Sequence, residues 1–258
     1  QFEQENGKWL PDYALFMALK EHFKMEPWTT WPDELRLREP DALERWKETL
    51  RVEMDFYIYV QYLFFCQWAA LKRYANERGI RILGDMPIYV PLDSADVWAH
   101  PEYFQLDESR KPVWVAGVPP DYFSNTGQLW GCPIYDWGNQ KKSGYQWWID
   151  RMAAASALFD AVRIDHFRGF DTYWKVPYGQ KTAINGEWAQ GPGMDFISVL
   201  EKNFPDFEVV AEDLGTLAES VEKLLDASGY PGMKVLQFAF DTSCGYSDHL
   251  PHLYRENC

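Results

Sequence analysis

The 258-residue chain carries 39 acidic against 25 basic side chains, a net charge of −14, with the acids scattered along its length. That balance excludes a polyanion-binding surface such as one for nucleic acid and favours an uncharged ligand. Its 47% hydrophobic content suffices for a core, while 13 Trp, 15 Tyr and 16 Phe exceed what a core requires and suit the apolar faces of sugar rings.

Apolar positions at Tyr13, Leu15, Phe16, Leu19 and Phe23 recur at helical spacing, so 9–23 predicts a short amphipathic helix opening at Pro11-Asp12. The segment Trp28-Thr29-Thr30-Trp31-Pro32 breaks it. From Pro40-Asp41 a long helical region runs through Trp46, Val52, Phe56, Val60, Leu63, Phe64 and Leu71 to Gly79, a residue able to take the left-handed conformation that closes a helix. Residues 1–80 therefore read as mainly helical. The run 80–90 is rich in β-branched residues and predicts a strand, with Asp85 ending its first half; helix then strand is the repeating unit of a parallel α/β fold.

Between Val90 and Ala161 the pattern lapses into a stretch rich in proline and aromatics, far longer than the roughly 2–6 residues of an ordinary connecting loop. Residues 91–160 are expected to be inserted, substrate-covering loops and a subdomain, with a packed non-catalytic subdomain as the alternative. A helix bearing Trp147, Trp148, Ile149, Met152 and Leu158 leads into the strand 161–165, which stops at Asp165 before the Arg168-Gly169 loop. A further loop, Asn185-Gly186-Glu187-Trp188 with Gly191-Pro192-Gly193, precedes a helix at 196–200. The segment 208–215 repeats the pattern of an apolar strand ending on an acid, here Glu212, followed by glycine. A helix at 218–227, with Val221, Leu224 and Leu225 on its apolar stripe and Gly229 as its stop, leads to a fourth strand at 233–240.

Barrel enzymes keep their chemistry where parallel strands end, and two carboxylates in that position are the minimum for cleaving a glycosidic bond. Cys66, Cys132, Cys244 and Cys258 stand apart, with no paired spacing and no histidine at zinc spacing, which predicts reduced thiols, a cytoplasmic setting and no metal. The longest apolar run, 56–71, is interrupted by Gln61 and Gln67 and falls short of the roughly 20 residues of a membrane span. A first residue of Gln predicts a chain that starts inside a longer gene product.

Several stretches in order resemble one family, the amylomaltases or 4-α-glucanotransferases, relatives of the α-amylases. They are Trp9-Leu10-Pro11-Asp12-Tyr13, Gly84-Asp85-Met86-Pro87-Ile88, Asp93-Ser94-Ala95-Asp96-Val97-Trp98, Val118-Pro119-Pro120-Asp121-Tyr122-Phe123-Ser124, Gln128-Leu129-Trp130-Gly131, Arg163-Ile164-Asp165-His166-Phe167 and Ala211-Glu212-Asp213-Leu214-Gly215. The resemblance implies an α/β fold, a (β/α)8 TIM-type barrel with inserted subdomains, here only in part. It also implies a retaining double displacement that moves a segment of an α-1,4-glucan to the 4-hydroxyl of an acceptor such as glucose or maltose. Neither a cofactor nor a metal is implied.

Carried over by motif, Asp165 is the implied nucleophile and Glu212 the general acid/base, a retaining pair whose carboxyl groups should lie about 5–5.5 Å apart. Arg163, two residues back on the same face of the strand, favours the charged form of Asp165. Glu212 must hold a proton, which requires partial desolvation or a neighbouring negative charge. Asp85 and Arg163 are implied to surround the sugar in the cleaving subsite, His166 to contact the glucan, and Trp130 to stack on the acceptor. Asp121, Tyr122, Phe123 and Gln128 are implied to form a loop that covers the glucan and disfavours water. Asp213 is counted with the substrate-binding set, although adjacent strand residues point to opposite faces and leave its role open.

The chain also departs from the family. A third carboxylate, in a His-Asp motif after the seventh strand, has no counterpart before Cys258, since His249 follows Asp248 in the wrong order. The first two barrel strands have none ahead of Gln1. The chain therefore looks like the middle of the enzyme, and in isolation it is expected not to turn over glucans. The competing readings are an α-amylase-type hydrolase, in which water takes the glycosyl group, and a non-catalytic glucan-binding fragment; the loop at 118–130 favours transfer.

Overall fold

Seven strands form among the residues that the computed structural model describes, which are 1–121, 124–214, 218–240, 249–254 and 257–258. They are β1 (Leu83–Pro87), β2 (Trp114–Val118), β3 (Gln128–Pro133), β4 (Ala161–Asp165), β5 (Thr172–Pro177), β6 (Glu187–Gln190) and β7 (Glu208–Ala211). β1, β4 and β7 make a parallel sheet in the order β1-β4-β7, and the others make a second sheet in the order β3-β2-β5-β6. The fold is thus α/β with one parallel and one largely antiparallel sheet. The chain divides into two compact units.

The unit built from Gly79–Ile88, Lys141–Tyr173 and Trp188–Cys258 contains the parallel sheet. In β4 the branched Val162 and Ile164 are fully buried, whereas Arg163 and Asp165 alternate to the opposite face. The register sets Asp85 of β1 across from Arg163, Pro87 across from Asp165, and Ile164 across from Ala211 of β7. Gly84 is required where β1 passes Phe159, because a Cβ there would lie 2.2 Å from the ring. The helices Gln146–Leu158 and Met194–Asn203 bring Trp148 and Phe196 against Phe170 in a cluster of edge-on and tilted rings. The helix Glu219–Ser228 buries Val221, Leu224 and Leu225 and closes at Gly229 with φ 62°, as its sequence predicts.

One expected element is absent. The segment 233–240 alternates like a strand, yet Leu236–Phe240 forms a 3-10 turn. The backbone donors that a ladder would use go to side chains: Met233 N–H donates to Asp213 Oδ1 at 2.8 Å and Val235 N–H to His249 Nδ1 at 3.1 Å. Three parallel strands are therefore formed among the described residues where four were expected.

The other unit comprises Gln1–Arg78, Tyr89–Gln140 and Trp174–Glu187. Its first core forms where the helix Leu10–His22 turns Leu15, Phe16 and Leu19 toward Trp28, Trp31 and Trp98. Lys20 is buried and its ammonium donates to Met25 O and Glu26 O, both at 2.9 Å, and to Asp93 Oδ2 at 2.6 Å. The helical region expected from Pro40 onward is two helices, Pro40–Thr49 and Arg51–Asn76. They separate at Leu50, which leaves helical geometry (φ −106°, ψ 25°) and turns its side chain into the core. The second helix buries none of its residues, and Val52, Phe56, Tyr59, Phe64, Leu71 and Tyr74 are exposed. The stretch 91–140 is more than loop: it supplies β2, β3 and the helix Ala95–Ala99, whose N-terminus is capped by the Ser94 hydroxyl. β2 pairs antiparallel with β3 and with β5.

Candidate active site

The chemistry-bearing residues of the parallel sheet run from the middle of β1 and β4, at Asp85 and Arg163, to the C-terminal ends of β4 and β7, at Asp165 and Glu212. Arg163 is the centre. Its Nη1 donates to Asp85 Oδ1 and its Nη2 to Asp165 Oδ1, each at 2.7 Å, while Nε reaches the Met233 sulfur at 3.2 Å. A planar guanidinium with all three nitrogens engaged has one orientation, so Arg163 fixes the positions of two carboxylates from neighbouring strands and offsets their mutual repulsion.

Where β4 ends, His166 takes the left-handed conformation with φ 54°, turning the chain sharply across the tip of β7. The backbone there is knitted to Glu212: Glu212 N–H donates to Ile164 O at 3.0 Å and Phe167 N–H to Glu212 O at 3.2 Å. The Glu212 carboxyl itself accepts from His166 N–H (Oε2, 2.8 Å) and from Leu214 N–H (Oε1, 2.7 Å). Burial pushes the Glu212 carboxyl above the usual carboxylate range, and the nearby Asp165 charge pushes the same way. The two N–H donors and Arg163 pull against them without prevailing. His166 is pushed down to about 4, first by burial and then by the positive charge of Arg168, so its imidazole is neutral at neutral pH. A neutral ring both donates and accepts, which suits a hydroxyl partner.

Asp213 turns elsewhere. It is buried, accepts from Met233 N–H at 2.8 Å and lies 3.7 Å from the Lys234 ammonium, bracing the segment that follows Pro231. The negative neighbour acting on Glu212 is Asp165, a pairing that strand alternation did not reveal.

The remaining sequence-derived candidates lie in the other unit. Trp130 sits on β3 with 37% of its surface exposed, its Nε1 donating to Gln128 Oε1 at 3.1 Å and its ring 6.2 Å from that of Tyr89. Asp121 is exposed and accepts from Ser124 N–H at 2.8 Å. Tyr122 and Phe123 fall outside the described residues. Sequence reasoning missed the two backbone donors on Glu212, which leave no trace in residue type, and the charge of Arg168 on His166, whose signal was an arginine two residues past that histidine. Among the described residues no cluster of His, Cys, Asp and Glu has metal-binding geometry, and no helix is long and apolar enough to cross a membrane. Cys66, Cys132 and Cys258 are free thiols, and Cys244 lies outside the described residues.

Acids and an arginine set from the middle to the C-terminal ends of adjacent parallel strands define an α/β protein with a polar site on that side of the sheet. The family is shown by comparison with known proteins: the sequence model described as 4-alpha-glucanotransferase matches residues 1–258, and the chain belongs to that family. It is 48% identical over 261 residues to the 4-alpha-glucanotransferase of Clostridium butyricum, an alignment covering 100% of this chain and 53% of that protein. It is 52% identical over 256 residues to that of Synechocystis, covering 98% of this chain and 50% of the relative. Among solved structures, the amylomaltase from Streptococcus agalactiae in complex with acarbose superposes with a TM-score of 0.95 at 43% identity, over 99% of this chain and 52% of that one. The chain thus spans about half the length of the curated relatives it matches.

Proposed function

We propose that the chain carries the nucleophile and the general acid/base of a 4-alpha-glucanotransferase, on a (β/α)8 barrel to which β1, β4 and β7 contribute three strands. The observation that carries this reading is the unequal setting of the two acids: Asp165 is partly solvated and hydrogen-bonded to Arg163, whereas Glu212 is held by two backbone N–H groups and its burial raises its pKa. In the first half-reaction the Asp165 carboxylate attacks the anomeric carbon of an α-1,4-linked glucose. Glu212 gives its proton to the departing 4-oxygen, leaving a glycosyl ester on Asp165. In the second, Glu212 takes a proton from the 4-hydroxyl of an acceptor, which attacks the same carbon and restores the α-linkage.

Asp85 and Arg163 hold the sugar in the cleaving subsite, His166 offers its neutral ring to a hydroxyl, and Asp213 supports the site through 233–234. Trp130 stacks on the acceptor, and Asp121, Gln128, Tyr122 and Phe123 belong to the covering loop in 91–160 that disfavours water. The substrates are α-1,4-glucans, with glucose or maltose as acceptor, in the cytoplasm. The family match and the acarbose-bound relative support this reading.

The test is covalent labelling with α-maltosyl fluoride, whose leaving group departs without an acid. Intact-mass analysis should show one maltosyl adduct on a peptide containing Asp165, absent in Asp165→Asn and longer-lived in Glu212→Ala. Added radiolabelled glucose should then take up the maltosyl group in a single transfer, which an activated donor allows without turnover of glucans. No adduct, or an adduct on another acid, would refute the assignment, and discharge only to water would make the protein a hydrolase.

A further inference from the structure

The stretch 185–193, which the sequence marks as a loop bounded by glycines, plays no part in the chemistry above. It contains β6, where Trp188 stands 47% exposed. The Arg168 guanidinium lies 4.6 Å from the centre of the Trp188 ring. Arg168 belongs to the 3-10 turn Phe167–Phe170, which follows Asp165 and His166 directly.

An indole on a solvent-facing strand ordinarily samples several rotamers; here a guanidinium lies over the ring and the strand end that carries it is pinned. Gly191 N–H donates to Asp171 O at 2.6 Å, Gly193 N–H to Phe170 O at 2.8 Å, and the Gln190 side-chain amide also to Asp171 O at 2.7 Å. The strand end carrying Trp188 is therefore stitched to the turn that follows β4. Gly191 permits the approach, since a Cβ there would meet Phe170 O at 2.3 Å. The charge of Asp171 acts favourably on the arginine; Asp171 is a buried carboxylate that accepts from Ser220 Oγ at 2.7 Å and Thr172 Oγ1 at 3.2 Å.

We infer that Trp188, oriented by Arg168, is a stacking platform for a pyranose ring of an α-linked glucan, additional to the residues that handle the scissile bond. The C–H face of a pyranose is apolar and about the size of an indole, and a ring already fixed by a cation loses little freedom on binding. An aromatic ring beside arginine could equally stack a nucleobase, but a net charge of −14 repels the phosphates that come with one. The inference rests on the proposed function, and it names where a sugar unit of that substrate would sit.

The test follows the indole N–H resonances of the nitrogen-15-labelled chain, with that of Trp188 identified by its loss in Trp188→Phe, during titration with maltohexaose. The Trp188 resonance should move and saturate. By calorimetry Trp188→Ala should bind maltohexaose about tenfold more weakly, Trp188→Phe should keep most of the affinity, and Arg168→Gln should fall between them. Circular dichroism of each variant guards against unfolding, and the phenylalanine variant keeps the test valid if the alanine variant is destabilised. Unchanged affinity in Trp188→Ala with a stationary Trp188 resonance, while maltohexaose still binds, would overturn the inference and leave the proposed function standing. A wild-type chain that binds no maltohexaose would refute both.

Discussion

Glu212→Gln tests which of two opposing influences governs the central acid. Each carboxylate oxygen accepts a backbone N–H, from His166 and Leu214, and both bonds favour the ionised form. Burial and the Asp165 charge favour the protonated form and prevail. A glutamine offers one acceptor oxygen and turns its NH2 group against the second backbone donor. An unmet donor in this half-buried position costs about 1–3 kcal/mol, or roughly 2–12 °C in midpoint for a chain of this size.

The pH dependence carries the sharper information. Glu212 has a folded-state pKa above its unfolded value, so its contribution to stability is fully present below the unfolded pKa and is lost as pH rises through the folded one. Glutamine does not titrate. The deficit of the variant should therefore be largest in acid and should narrow as pH rises through that window. Urea unfolding of both proteins from about pH 4 to about pH 8, compared at each pH, cancels the titration of every group the two share. A deficit that widens with rising pH would mean that the N–H donors win and Glu212 is ionised at neutrality. It could not then deliver a proton, and the reasoning would fail at its centre.

Arg163→Gln removes both bonds to Asp85 and Asp165; because those carboxylates are 62% and 44% exposed, stability should fall by no more than about 1 kcal/mol. Maltosyl labelling of Asp165 should slow by about 10²-fold or more, and losses of equal size in both measurements would show Arg163 to be only a brace. Lys20→Met leaves Asp93 Oδ2 and the carbonyls of Met25 and Glu26 without their shared donor. It should cost about 2–4 kcal/mol in urea unfolding, and a cost near zero would mean that water replaces the ammonium. Trp130→Ala should weaken acceptor glucose about tenfold while changing the unfolding midpoint little, as its 37% exposure requires; the reverse pattern would make it a core ring.

Legibility in the sequence followed how local each cause was. β4 and β7 could be read because a branched apolar run ending on an acid specifies both the strand and the face its charges take, and Gly229 marked a helix end because its φ of 62° suits glycine. Asp165 and Glu212 stood out for the same reason. The segment 233–240 misled because alternation states which side chains share a face, whereas a strand also needs a partner for its N–H groups, and here Asp213 and His249 take them. The break at Leu50 was invisible because leucine is a good helix former; only the core into which it turns stops the helix. The desolvation of Glu212 depends on how β7 lies beside β4, a long-range contact that no spacing encodes.

The knitting of Glu212 to the tip of β4 bears on how such a site tolerates change. Its amide, its carbonyl and its carboxyl each bond to backbone at Ile164, Phe167 and His166. The spacing between Glu212 and the end of β4 is thus held by main-chain atoms, which every amino acid possesses. Side chains around the site can be exchanged without loosening that spacing, and the amide protons of His166 and Phe167 should be among the slowest of any loop residues to exchange with solvent.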